Sequence, residues 1–277
     1  MVIFPNCKIN LGLNITGKRE DCYHDLETVF YPLPFCDALE IITNTENALT
    51  PPVQFSATGL TVDGTEENNL CIKAYHLLKN DFPHLPSVKM HLHKAIPMGA
   101  GLGGGSADGA FTLLLLNKKY QLNLSTAQLI NYALALGSDC PFFIINKPCF
   151  GLGRGEILQE IELDLSSYKF VIVNPKIHIN TGWAFSQITP VQPNESIKKI
   201  IQQPIKTWKN SLVNDFEKPV LNHYPQLQLL KEQLYGNGAV YAGMSGSGST
   251  FFGIFPKSQA VNLILPPAYF VKEIPGV

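Results

Sequence analysis

Over residues 7–15 the apolar side chains Cys7, Ile9, Leu11, Leu13 and Ile15 take the odd positions, while Lys8, Asn10, Asn14 and then Thr16 take even ones. That period of two predicts a strand with one polar face, from which Lys8 and Asn10 project the same way. A turn region over 17–24 leads into further strand-like runs at 39–43 and 53–58, with antiparallel pairing expected. At 69–78 the spacing changes: Leu70, Ala74, Leu77 and Leu78 recur at i, i+4, i+7 and i+8, the stripe of an amphipathic helix. Val88, Met90 and Leu92 then alternate with Lys89, His91 and His93, which predicts another strand.

That strand runs into Pro97-Met98-Gly99-Ala100-Gly101-Leu102-Gly103-Gly104-Gly105-Ser106-Ala107-Asp108, followed by an apolar helix candidate over 109–116. Ser125 with Gln128 forms a capping-box pattern, and Leu129, Ala133 and Leu136 make a stripe closed by Gly137, with Asp139 just beyond. Later features are a buried-looking strand at 170–173, a Pro-rich polar stretch at 190–204, and a glycine-serine run at 243–249 flanked by apolar residues. We place the boundary between two domains near 155, giving 1–155 and 156–277. No whole-domain repeat is visible.

Composition narrows the classes. Apolar residues make up 45% and charged ones 16%, a globular balance, and 21 basic against 22 acidic residues leave no global positive field for nucleic acid. The six cysteines (Cys7, Cys22, Cys36, Cys71, Cys140, Cys149) lack Cys-x-x-Cys spacing, so reduced cytoplasmic thiols are expected rather than zinc or a disulfide scaffold. The start of the chain lacks a basic, long apolar signal, and no apolar run nears the roughly 20 residues that span a bilayer.

Five glycines in the seven positions 99–105 let backbone amides converge on a phosphate, and the helix that follows adds partial positive charge. Ser106 is positioned to donate to a phosphate or to a bound magnesium, with Asp108 a second candidate at the metal. A flexible hinge or close-packing turn is the structural alternative. A Walker A loop is excluded because no Gly-Lys-[Ser/Thr] closes the run, and the protein-kinase signatures are absent. Gly99 to Gly104 does match Gly-x-Gly-x-x-Gly, but no Asp or Glu lies between Asp108 and Asp139 to hold a ribose, so a nicotinamide oxidoreductase ranks second. A catalytically silent nucleotide-binding regulator is a third reading. His91 and His93 have no nearby carboxylate or cysteine and read as an ordinary strand face, and the run 151–155 reads as a hairpin or interdomain turn.

The stretch 97–107 resembles the Pro-x-x-x-Gly-Leu-Gly-[Gly/Ser]-[Gly/Ser]-Ser-Ala loop of the GHMP kinases. Cys7-Lys8-Ile9-Asn10-Leu11 resembles that family's N-terminal lysine motif, and Met244-Ser245-Gly246-Ser247-Gly248 its C-terminal glycine motif, in the same order along the chain. Lys8-Ile9-Asn10-Leu11, Arg19-Glu20-Asp21-Cys22-Tyr23-His24, Leu136-Gly137-Ser138-Asp139-Cys140-Pro141 and Asn214-Asp215-Phe216-Glu217 resemble the branch that acts on a cytidine-diphosphate-linked methylerythritol. Cys22 departs from the glycine usual before Tyr-His.

The resemblance implies an α+β fold of two domains: a ribosomal protein S5 domain 2-like N-terminal domain binding ATP and a ferredoxin-like C-terminal domain binding substrate. It implies ATP and Mg2+ as cofactors, transfer to the substrate's 2-hydroxyl in non-mevalonate isoprenoid synthesis, no nucleic-acid or membrane partner, and a monomer or weak homodimer. Residue by residue it implies Asp139 as base and Lys8 as the charge that stabilises the transferring phosphoryl group. Asn10, Tyr23, His24, Thr181 and Phe185 become substrate contacts. The implied ATP contacts are Asn69, Lys94, Pro97, Gly99, Gly101, Leu102, Gly103, Gly104, Gly105, Ser106 and Ala107, while the metal ligands are left open between Ser106 and Asp108.

Overall fold

The computed structural model describes residues 1–45, 51–62 and 64–276. In chain order it contains β1 (Val2–Ile3), β2 (Asn6–Lys18), β3 (His24–Cys36), β4 (Ala38–Thr43) and β5 (Val53–Gly59). Next come α1 (Leu70–Asp81), β6 (Val88–Lys94), α2 (Gly104–Tyr120), α3 (Thr126–Leu136) and α4 (Cys140–Ile145), then β7 (Cys149–Leu152), β8 (Ile157–Glu160) and β9 (Tyr168–Asn174). The remainder is α5 (Thr181–Ser186), α6 (Ile197–Ile200), α7 (Ile205–Ser211), α8 (Glu217–His223), α9 (Gln226–Gly236), β10 (Tyr241–Met244), β11 (Phe251–Pro256) and β12 (Phe270–Pro275).

Two compact units form, and the chain passes between them more than once. One comprises Met1–Cys7, Phe35–Met98 and Gly103–Asn146; the other comprises Lys8–Pro34, Gly99–Leu102 and Lys147–Val277, its last residue lying outside the described ones.

In the first unit the sheet order is β1-β4-β6-β5. Leu39 and Ile41 face Leu92 and Met90 across the β4–β6 pair, and all four are buried. Helices α1 to α4 pack on one another, with α2 against β4. Local signals set the helix starts: the Asn69 side chain caps α1 by accepting from Cys71 N at 2.9 Å, and α3 carries the complete Ser125/Gln128 capping box. One expectation needs correcting. β4 and β5 do not pair with each other; β4 is antiparallel to β6, and β5 is parallel to it. The reason is α1, which carries the chain from β5 back to the start of β6, as a parallel pair requires. The opposite face holds His91 and His93, whose ring nitrogens meet Ser56 and Thr58 at 2.9–3.0 Å. No group of three or more His, Cys, Asp or Glu suited to a metal occurs among the described residues.

The second unit holds two sheets, β2-β3-β7-β8 and β10-β11-β9-β12. Its core gathers Leu13 and Ile15 with Val171, Val173, Phe216, Leu227, Leu230, Met244, Phe251 and Phe255. β2 alternates as expected, yet its polar face is also buried: Lys8, Asn10 and Asn14 are all at most 5% exposed. Buried polar groups must be bonded, and these are, Asn10 to Thr28 Oγ1 at 3.0 Å and Asn14 to Glu27 Oε1 at 3.0 Å. The run 151–155 belongs to a hairpin: Gly151 and Leu152 end β7, and residues 153–156 turn the chain into β8.

Candidate active site

The glycine loop leaves the end of β6 and becomes the first turn of α2. Gly99, Gly101 and Gly103 all have positive φ. Two glycines are required by what lies beside them. At Gly101 a Cβ would collide with the carbonyl oxygen of Ser245, and at Gly104 it would press on Ile96 and on the Lys94 ammonium. No side chain caps α2 and no acidic residue lies in its first turn, so no side-chain charge offsets the positive end of this 17-residue helix. Four-stranded and carrying an antiparallel neighbour beside β6, the sheet is not the doubly wound parallel sheet that a dinucleotide fold needs.

Within the second unit, three separated motifs meet at one hydroxyl. Ser245 Oγ donates to the carbonyl of Gly101 at 2.7 Å and accepts from the amide of Asn10 at 3.2 Å. Lys8 N, one pair along the same strand, donates to the carbonyl of Leu102 at 3.0 Å. On the side-chain level Lys8 Nζ donates to Asn10 Oδ1 at 2.6 Å and lies 5.1 Å from the Phe30 ring centroid. Asn214 holds the C-terminal glycine turn, its amide donating to the carbonyls of Met244 and Gly246 at 2.8 Å each. Thr181 reaches the same turn, 3.2 Å from Ser247 Oγ.

In the first unit, Lys94 is wholly enclosed. Its ammonium donates to Asp37 at 2.5 Å and Asp108 at 2.7 Å, with no exposed side-chain surface. Asp37 Oδ1 also accepts from the amides of Ala95 and Ile96, so this cluster pins the strand end from which the loop departs. Burial alone would lower the Lys94 pKa, but the two carboxylates outweigh it and raise it. Asp108 is pushed up to about 7, chiefly by burial and further by Asp37, against the pull of Lys94. Its Oδ1 is buried without a hydrogen-bond partner. A carboxylate so placed is engaged inside the unit by Lys94.

Asn69 caps α1 and lines a cavity of about 390 Å³ with Phe55, Thr58, Leu60, Val62 and Thr65. A larger cavity of about 480 Å³, between α1 and the end of α3, holds none of the expected residues. Asp139 precedes α4 with helical backbone angles, and its carboxylate does not cap the helix. Beside it the Cys140 thiol is pushed up to about 12, first by burial and also by the Asp139 charge, while a hydrogen bond with Ser106 opposes the shift. Ser106 and Asp139 thus flank one buried thiol.

The turn between β2 and β3 presents Tyr23 and His24. It is closed by Arg19 N to Tyr23 O at 2.8 Å, and Asp21 Oδ1 accepts from Tyr23 N at 3.0 Å. That backbone bond, with Arg19 and Arg154 assisting, holds the Asp21 pKa below the usual carboxylate value. Cys22 sits at φ 67°, the left-handed conformation that favours glycine. His24 lies flat on Phe185, centroids 4.7 Å apart and planes 17° from parallel, and Phe185 meets Phe216 edge-on. Tyr23 remains 56% exposed.

The sequence singled out the motifs at 244–248 and 214–217 but not the roles of Ser245 and Asn214 in them, and it gave no notice of Asp37 or Thr28. A polar residue opening a glycine-serine run, between Met244 and Gly246, was the one signal for Ser245. Asp37 gave none, because its partners Lys94, Ala95 and Ile96 lie at and just past the end of β6, more than fifty residues on.

Comparison with known proteins adds what geometry cannot. Residues 69–147 match the GHMP kinases N terminal domain and residues 196–266 the GHMP kinases C terminal model. A 4-diphosphocytidyl-2-C-methyl-D-erythritol kinase of Bacteroides fragilis is 51% identical over 95% of this chain and 94% of its own length; that of Bacteroides thetaiotaomicron is 50% identical over 92% of each. Among solved structures, a 4-(cytidine 5'-diphospho)-2C-methyl-D-erythritol kinase superposes with TM-score 0.78 at 29% identity, covering 92% of this chain and 90% of that one.

Proposed function

Since the chain belongs to the GHMP kinase family and is an ATP-dependent small-molecule kinase, we propose that it phosphorylates the 2-hydroxyl of 4-diphosphocytidyl-2-C-methyl-D-erythritol, in the non-mevalonate route to isopentenyl diphosphate. The observation that carries this reading is the Ser245 hydroxyl bonded to both Gly101 and Asn10, which ties the glycine loop to the lysine strand. The half-identity to relatives bearing that kinase name over nearly the whole chain supports the choice of substrate.

In this mechanism the loop from Pro97 through Gly99, Gly101, Leu102, Gly103, Gly104 and Gly105 to Ser106 and Ala107 cradles the polyphosphate with backbone amides, at the positive end of α2. Asn69 contributes on the adenine side through the cavity it lines. Lys94, whose ammonium is already bound by two carboxylates, serves there only by its backbone and by bracing the loop. Asp139 takes the proton of the 2-hydroxyl as that oxygen bonds to the γ-phosphorus and the bond to the β-phosphate oxygen breaks, releasing ADP. Lys8 offsets the charge on the phosphoryl oxygens, and Asn10, already bonded to Lys8, orients the hydroxyl. Tyr23, His24 and Phe185 hold the cytosine and Thr181 the substrate phosphates, so nucleotide contacts fall in 1–155 and part of the substrate site in 156–277. Magnesium, for which Ser106 is the fitting side chain, would neutralise phosphate charge; a site with a single protein oxygen suits an ion that keeps waters and phosphate oxygens.

The test is ADP release from MgATP with a panel of 4-diphosphocytidyl-2-C-methyl-D-erythritol, homoserine, mevalonate and galactose. Turnover with the first alone is expected; turnover confined to another acceptor overturns the substrate. Asp139→Asn should lower kcat by ~10²–10⁴-fold while ATP still binds, and unchanged turnover would remove Asp139 as base.

A further inference from the structure

The hairpin turn between β7 and β8 places Arg154 over the ring of Tyr23, its guanidinium carbon 4.7 Å from the ring centroid. We infer that Arg154 is a positioning residue for the cytidine-bearing substrate: it fixes the Tyr23 ring through one face and leaves the other to the base. This rests on the proposed function, in which Tyr23 stacks on cytosine.

Three observations carry it. First, Tyr23 is the exposed member of the aromatic group, whereas His24 is already stacked on Phe185 and Phe185 on Phe216. An exposed ring on a tight turn visits several rotamers and must lose them to stack. Second, both partners are anchored. Leu26 N donates to the carbonyl of Gly153 at 2.7 Å, docking the hairpin turn on β3 three residues after Tyr23. Arg154 N donates to Glu156 Oε2 at 2.5 Å, and the backbone of Tyr23 is held by Arg19 and Asp21. Third, the guanidinium is only weakly held within its own turn: the Glu156 carboxylate is 3.8 Å from Nε, a partly exposed pair of a kind that contributes little. A planar cation over an aromatic face holds that ring parallel to itself.

The experiment measures binding of cytidine 5'-diphosphate by calorimetry, together with KM for the cytidine substrate and for ATP, in wild type, Arg154→Met, Arg154→Lys, Tyr23→Leu and the Tyr23→Leu/Arg154→Met double variant. Arg154→Met should weaken cytidine diphosphate binding by about three- to fivefold, the equivalent of one exposed cation–π contact. The same rise is expected in KM for the cytidine substrate and not in KM for ATP, with Arg154→Lys recovering part of it. In the Tyr23→Leu background, losing Arg154 should add nothing. An equal loss in that background would mean that Arg154 acts on the ligand directly and overturns the inference, as would an Arg154→Met variant that binds like wild type. Wild-type protein that binds no cytidine diphosphate removes the substrate reading itself, and this inference with it.

Discussion

Ser245 Oγ stands 2.7 Å from the carbonyl of Gly101, across 144 residues of sequence, and the backbone carbonyl of the same serine closes off the space where a Cβ on Gly101 would go. One residue thereby sets both the conformation of the glycine loop and the residue type that the loop must have at its centre. Loss of either side of this contact should be felt at the nucleotide.

Gly101→Ala meets two obstacles. Its φ of 78° costs a side chain about 1–2 kcal/mol, and the Ser245 carbonyl must give way. The loop shifts, and since a displacement near 1 Å can cost ~10²-fold in rate, kcat/KM for ATP should fall by at least about that factor in steady-state assays. A variant with wild-type kcat/KM would show that the loop does not hold the nucleotide.

Ser245→Ala leaves the loop glycines intact but strips the buried amide of Asn10 of its acceptor. A buried donor left unsatisfied costs about 1–3 kcal/mol, so urea denaturation should show a drop of that size. KM for ATP should rise in parallel.

The Asp108 carboxyl gives a pH dependence whose sign is fixed by its environment. Its folded pKa of about 7 lies above the ordinary 3.8, so the folded protein holds this proton more tightly than the unfolded chain does. The stabilisation is complete below about 3.8 and is lost as pH rises through 7. Urea midpoints measured from pH 4 to pH 7 should decline less in Asp108→Asn than in wild type; a residual decline is expected because burial also raises Asp215 and Glu217.

Cys22 occupies a left-handed position at the tip of the Tyr23 turn. Cys22→Gly should relieve about 1 kcal/mol and raise Tm by about 2 °C in calorimetry. A lower Tm would mean that the thiol makes up for its backbone strain.

What could be read from the chain was local. The period of two in β2, the Ser125/Gln128 box of α3, the Asn69 start of α1 and the glycine-rich entry to α2 all follow from residues within a turn or two of one another. Pairing direction did not follow, because alternation is the same in parallel and antiparallel strands. Nor did burial of the Lys8 face: polar spacing marks a face, but only Thr28 and Ser245, distant in sequence, decide that it is enclosed. The Lys94 cluster shows the same limit. A lysine ending a strand looks available to a ligand until Asp37, 57 residues earlier, is found bonded to it.

The interleaving of the two units bears on how the protein is made. Residues Lys8–Pro34 leave the ribosome early, yet the sheet and core they complete come from residues beyond Lys147. At ~5–20 residues per second the first long hairpin must wait on the order of ten seconds for its companions, with the apolar side of β2 unsheltered meanwhile. Nascent-chain arrest between residues 60 and 140 should therefore yield species that recruit chaperones, and no single cut would separate this enzyme into two pieces that each fold alone.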